Sequence, residues 1–199
     1  MDALHWILTI CIGLGLAAST GFNVTLPLLI LSALSHFHVA GVTLRGDFAW
    51  LSSDTAIISL SVASVVEFLA DKIPAVDHAV HAIRMVAGPV AGAIAASSVQ
   101  THADPAAAIL IGLIVGGTTS LGFTGAVASL RVASSALTFG LGNPILSLLE
   151  DGLSVGLTAL GLFAPVFVPV ILGILAFVIW KVIKSLKLRA VSKKAQVSQ

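Results

Sequence analysis

Residues 67–84, EFLADKIPAVDHAVHAIR, place Glu67, Asp71, Lys72, Asp77, His78, His81 and Arg84 within one short stretch. A second polar stretch, GNPILSLLED at 142–151, carries Asn143, Ser147, Glu150 and Asp151. Carboxylates gathered out of water exchange protons, ligate a cation through oxygen, or pair with a basic side chain. Glu67 and Asp71 stand four apart and so share one helix face. Pro74 then bends or stops that helix and frees a backbone carbonyl. Asn143-Pro144 reads as a helix start, with Asn as cap and Pro in the first turn. Glu150 and Asp151 then lie about two turns into an apolar helix, with Ser147 one turn before Asp151. His78, His81 and Arg84 step by three along one stripe. A proton relay, a lipid-headgroup contact or the wet face of an interfacial helix would each use such a stripe, and the wet face is the simplest expectation.

The rest of the chain sets the solvent in which this chemistry must work. Of 199 residues, 57% are hydrophobic and only 10% charged, with a mean hydropathy of +1.08. A soluble domain carries about 25% charged residues, so this chain lacks the polar surface to cover a globule. The expected class is an all-α integral membrane protein. The net charge of +1 gives no basis for binding nucleic acid. Cys11 is the single cysteine, within an apolar run, and is read as packing. The N-terminal apolar run has no Lys or Arg before it and reads as an uncleaved membrane helix. At the other end, Lys181, Lys184, Lys187, Arg189, Lys193 and Lys194 follow an apolar helix that finishes at Trp180. The positive-inside rule puts that tail in the cytoplasm, and anionic headgroups would attract it.

Apolar runs cover 4–35, 55–70, 85–100, 105–139, 144–163 and 166–184. A membrane helix needs about 20 residues. Runs 4–35 and 105–139 are too long for one straight crossing. Each is interrupted, by AASTGFN at 17–23 and GGTTSLGFTG at 116–125, so breaks are expected near Gly21, Asn23, Gly117 and Thr119. IGL at 12–14 recurs at 111–113, LADKIP at 69–74 lines up with LEDGLS at 149–154, and Pro89 lines up with Pro169. The order broken run, acidic motif, proline-bearing helix thus occurs twice. It points to a polytopic helical bundle of two weakly similar halves: 1–102, then 103–184, followed by a basic, disordered tail at 185–199. The first half ends without Lys or Arg and the second in the basic tail. That asymmetry favours an inverted repeat of six crossings, with eight shorter helices as the alternative.

An ionised group at the bilayer centre costs about 2.5–3.5 kcal/mol on the lenient scale. Asp71 and Asp151, at matching places in the two halves, are therefore expected in a polar centre with Glu67, Glu150, Asn143 and Ser147. Lys72, Asp77 and Arg84 are expected in a loop at the cytoplasmic rim, with Lys72 also able to pair with an acid. His36 and His38 lack a third nearby ligand and read as a solvated loop. Gly88/Gly92, Gly112/Gly116 and Gly152/Gly156 are expected to let helix backbones approach closely. No phosphate loop, zinc-protease motif or nucleophile elbow is present. The expectation is a non-enzyme without cofactor or metal.

ADKIPAVD (70–77), GPVAGA (88–93) and GNPILSLLED (142–151), after PLLIL at 27–31, resemble a bacterial membrane family of unknown function, the domain-of-unknown-function family numbered 4126. The resemblance spans about residues 5–180. It implies a membrane location, and it places Glu67, Asp71, Lys72, Pro74, Asp77, Asn143, Pro144, Ser147, Glu150 and Asp151 on motif positions. It names no activity. Members often carry a basic residue just after the first break, where this chain has Asn23.

Two functions fit these residues. The first is a small transporter or channel of the bacterial cytoplasmic membrane that binds or relays a proton or cation through Asp71 and Asp151. Half-helix ends at the two breaks would contribute backbone groups, and a homo-oligomer is compatible. The second is a non-transporting scaffold or lipid-interacting protein whose charges set helix register.

Overall fold

The computed structural model describes the backbone of residues 3–138 and 141–197; the side chains of 40, 74–79, 137 and 186–197 lie outside what it describes. Asp77, His78 and the tail residues Lys187, Arg189, Lys193 and Lys194 therefore have no described side chain. The described chain is all-helical: α1 (Ala3–Phe22), α2 (Thr25–His36), α3 (Asp54–Ala70), α4 (Pro74–Ser98), α5 (Pro105–Ile111), α6 (Thr118–Thr138), α7 (Asn143–Phe163) and α8 (Val168–Val197). Short 3-10 turns occupy Val39–Gly41, Gly46–Ser52 and Pro165–Phe167. Among the described residues five helices are long and apolar enough to cross a membrane. A sixth is added if the pair Gly46–Ser52 and Asp54–Ala70, bent by 61°, counts as one broken span. The chain is a polytopic helical membrane protein.

Local chemistry explains where the helices start. Ser53 accepts a hydrogen bond from the Ala56 N–H, and Asp104 accepts one from the Ala107 N–H, so both cap orphan donors. Pro74 and Pro105 sit in first turns, where a missing N–H costs nothing. Asn143 differs from its expected capping role. Gly142 holds the cap position of α7, and the Asn143 amide donates to Ser135 Oγ on α6 at 3.1 Å.

The two long apolar runs behave differently. The first breaks after Phe22. There Asn23 Oδ1 accepts from the N–H groups of Thr25 and Leu26 at 3.1 and 2.9 Å and opens α2. The second does not break. Residues 105–138 form one continuous helix whose 112–117 stretch is wound as π-helix. Gly117 closes that π stretch and Thr119 lies within α6, so the expected half-helix end at 116–125 is absent. Hydroxyls account for the continuity: Thr118, Thr124 and Ser129 each donate to the carbonyl four residues back, which keeps the polar groups satisfied inside the helix.

Helix α1 runs through the middle of the bundle, and Leu16 to Asn23 are all buried. Its neighbours approach on small residues. A Cβ on Gly15 would come within 2.8 Å of the Gly161 Cα on α7, and one on Gly21 within 2.6 Å of the Phe123 Cβ on α6. Hydroxyls tie the same faces together: Thr20 donates to Ser120 and Thr158 to Ser19, both at 3.0 Å, and Ser154 donates to the Ser19 carbonyl at 3.0 Å. Gly88 and Gly92 of α4 pack against α6, and Gly112 and Gly116 pack against α4, as their spacing suggested. Gly152 and Gly156 face open space instead. The interior is thus small and hydroxylated. Large apolar side chains such as Ile58, Val62, Val66, Val86, Ile109 and Ile174 stand exposed on the outside. That is the distribution a bilayer stabilises, because lipid offers no hydrophobic drive and helices associate through close packing and hydrogen bonds.

A Cβ at Gly92 would lie 2.6 Å from the Ser120 Cβ and 2.9 Å from the Gly116 carbonyl oxygen. Gly92→Val is therefore expected to destabilise the detergent-purified protein by about 1–3 kcal/mol, seen as a fall in melting temperature of roughly 2–4 °C per kcal/mol. Gly152→Val, with nothing to meet, should melt within about a degree of wild type.

Candidate functional site

Five elements converge near the α1–α2 break. The last turns of α3 supply Glu67 and Asp71, α4 supplies Arg84, α6 supplies Arg131, and α7 supplies Ser147, Glu150 and Asp151. The break itself supplies Asn23. Asp71 and Glu150 are each 2% exposed, Arg84 and Arg131 each 4%, and Glu67 8%, so these five charges have left water and depend on one another.

Arg84 is the first hub. Its Nε donates to Glu67 Oε1 at 2.8 Å and its Nη2 to Asp71 Oδ2 at 2.6 Å. Arg131 is the second. Its Nε donates to Glu150 Oε1 at 3.1 Å and its Nη2 to Glu150 Oε2, a two-point grip that matches the planar guanidinium to the carboxylate. The hubs are joined more loosely. Arg84 Nη1 lies 3.5 Å from Glu150 Oε2, and Arg131 Nη2 lies 3.5 Å from Asp71 Oδ2. Ser147 bridges them, donating to Asp71 Oδ2 at 2.9 Å and accepting from Lys72 Nζ at 3.2 Å. Among the described contacts, Arg84 serves the acids at the end of α3, Arg131 serves Glu150 of α7, and the Ser147 hydroxyl with two longer ionic contacts joins the two sets.

Glu67 has a second duty. Its carboxylate accepts from the Val24 and Thr25 N–H groups at 3.3 and 3.2 Å and from Thr25 Oγ1 at 2.6 Å. It thus sits at the positive N-terminal end of α2. Asp151 is one residue on from Glu150, about 100° round the helix, and meets the α1–α2 break. Asn23 Nδ2 donates to its Oδ1 at 2.9 Å. Its Oδ2 is buried, with no hydrogen-bond partner among the described residues, as is Asp71 Oδ1.

The structure thus gathers Asp71, Asp151, Glu67, Glu150 and Ser147 into one centre. Asn143 lies two turns earlier on α7. Arg84, expected at the cytoplasmic rim, is a buried hub. Lys72, also expected at the rim, is partly buried, with its ammonium 4.1 Å from the Phe68 ring centroid and bonded to Ser147. The cost of leaving an acid unpaired in the bundle pulls both cations inward. His81 is half-buried rather than on a fully wet face, and Asp77 and His78 lie outside the described side chains. Arg131 was not anticipated. Its signal was nonetheless present, since a lone cation inside a long apolar run must find an acid. His36 and His38 stand apart from the centre. His36 bonds the Ser52 carbonyl at 2.7 Å and lies 3.5 Å from Asp54. Among the described residues no three His, Cys, Asp or Glu are placed to hold a metal ion.

The family described as a domain of unknown function, DUF4126, matches residues 10–185. The chain belongs to this family. The DUF4126 match covers every residue of the centre, from Asn23 to Asp151. No curated protein and no solved structure matches the chain.

The two-point grip between Arg131 and Glu150 gives a clear stability prediction. Arg131→Met leaves Glu150 buried with weaker compensation and should cost about 3–5 kcal/mol. The double variant Arg131→Met/Glu150→Met removes both charges and should recover most of the loss. Thermal unfolding of the two singles and the double, run as a double-mutant cycle, reads the coupling directly.

Proposed function

We propose that this protein moves a proton or a small monovalent cation across the membrane, with Asp151 as the group that loads and releases it. One observation carries the proposal. Among the described side chains of the centre, four carboxylates (Glu67, Asp71, Glu150 and Asp151) meet three fixed cations (Lys72, Arg84 and Arg131). Asp151 is the one of these acids bonded to a neutral amide and not to an arginine; Lys72 is its strongest positive neighbour, and one of its oxygens is buried and unbonded. A carboxylate out of water needs a positive partner, and a proton or bound cation supplies it.

The junction between the two arginines offers the moving part. Loading Asp151 changes the field beside Lys72 and Ser147, where the two arginine-centred sets of acids are joined by the Ser147 hydroxyl and two ionic contacts of 3.5 Å among the described residues. Transport requires two arrangements of comparable energy, and side-chain exchange at that junction can supply them while the close packing of α4 on α6 holds. The carrier would sit in the bacterial cytoplasmic membrane with its basic tail inside, as the positive-inside rule favours. It would use neither cofactor nor enzymatic chemistry.

A second reading has its own support. Each arginine is bonded to an acid of its own helix pair, which is what a purely structural lock requires, and a scaffold would need no more. Reconstitution in liposomes with an internal pH dye separates the two. Under a proton gradient, with and without K⁺ or Na⁺, wild type is expected to dissipate the gradient. Asp151→Asn should do so about tenfold more slowly, a loss of about 1.4 kcal/mol, while eluting as the same species. Asp71→Asn should also lose flux, together with stability, because it releases Arg84. Background-level signals from wild type would favour the scaffold.

A further inference from the structure

Away from the charged centre, α6 and α8 leave a groove of about 460 Å³ on the outer face of the bundle. Its walls include Gly122, Phe123 and Ala126 from α6, and Ala176, Ile179 and Trp180 from α8. We propose that this groove is a binding site for one anionic phospholipid, with an acyl chain lying between the helices and the phosphate on Lys184.

Shape supports the chain. Gly122 and the two alanines keep the floor low, and a side chain added at Gly122 would meet nothing within 4 Å. From Ala176 to Ile183 the groove follows α8 for about 10 Å, along the helix direction and so along the run of a lipid tail. Charge supports the head. Trp180 closes one wall, and Lys184 Nζ lies over its ring, 5.1 Å from the centroid, so the ammonium is parked at the groove's rim. Neither α6 nor α8 contains an Asp or Glu, so no acid of these helices neutralises Lys184. An apolar slot that ends in a tryptophan with a lysine over its ring matches the amphiphile it would hold: tail inward, interface at the indole, negative head beyond. This site is independent of the transport proposal, since it shares no residue with the charged centre.

The test is native mass spectrometry of the full chain in detergent, titrated with phosphatidylglycerol or phosphatidylcholine. Wild type is expected to retain one phosphatidylglycerol in preference to phosphatidylcholine. Lys184→Gln should weaken phosphatidylglycerol retention roughly fivefold, leaving phosphatidylcholine unchanged. Gly122→Phe fills the slot and should remove the single retained lipid. Ala176→Phe fills it from the opposite wall and serves if the first variant folds poorly. Gly152→Phe, on an open face elsewhere, should bind as wild type does. Equal retention of the two lipids, or retention unchanged by both slot-filling variants, would overturn the proposal.

Discussion

The desolvation of Arg84 and Arg131 governs the bundle. Neither guanidinium can shed its charge, and neither reaches water at 4% exposure. Each must therefore be met by carboxylates, and among the described side chains these come from the end of α3 and the middle of α7. That requirement fixes how α3, α4, α6 and α7 meet around the small-residue packing of α1. In lipid the apolar surfaces are indifferent to one another, so packing of small residues and polar satisfaction must specify the arrangement. The buried hydroxyls of α1, α6 and α7 do the same work at lower stakes, each with a hydrogen-bond partner.

The two helix pairs solve the problem in mirrored order. In α3–α4 the acids come first in the chain and the arginine follows the proline-led turn. In α6–α7 the arginine comes first and the acids follow Pro144. The α3–α4 pair sets Glu67 and Asp71 against Arg84 and Lys72, whereas α6–α7 sets Glu150 and Asp151 against Arg131 among the described side chains, so the second pair draws on the first through Ser147 and the two 3.5 Å contacts. The pairs are therefore coupled at the charged centre, while small residues pack α4 directly on α6.

How far these features were legible in the sequence depends on the kind of signal. Helical class and the membrane setting follow from composition, which the bilayer makes a sharp constraint. The acids at 67, 71, 150 and 151 were legible because ionised groups in apolar surroundings stand out. Arg131 stands out equally, as a lone cation within the apolar run 105–139. Arg84 was misplaced because its neighbours His78 and His81 suggested a wet stripe, whereas the pull of Glu67 and Asp71 acts across the turn and is invisible to helical periodicity. The two small-polar stretches, 17–23 and 116–125, look alike as sequence. They part company because Asn23 has an amide to cap a new helix and Glu67 waits to receive its N–H groups, while Thr118, Thr124 and Ser129 bond their own helix. Composition marks where a break is permitted; a tertiary partner decides whether it forms.

Asn23 shows how the break and the centre depend on one another. Its Oδ1 accepts from the Thr25 and Leu26 N–H groups while its Nδ2 donates to Asp151. Only an amide does both at once. A basic side chain would hold Asp151 more strongly and would supply the fourth cation, but it has no acceptor for the α2 amides. In this chain the acceptor is kept and the charge is forgone. The start of α2 is thereby secured, Glu67 is left to serve both α2 and Arg84, and Asp151 is held by an amide with Lys72 as its strongest positive neighbour. The same side chain that lets the first helix turn therefore also ties the opening of α2 to the acid of α7, so the break and the charged centre form together.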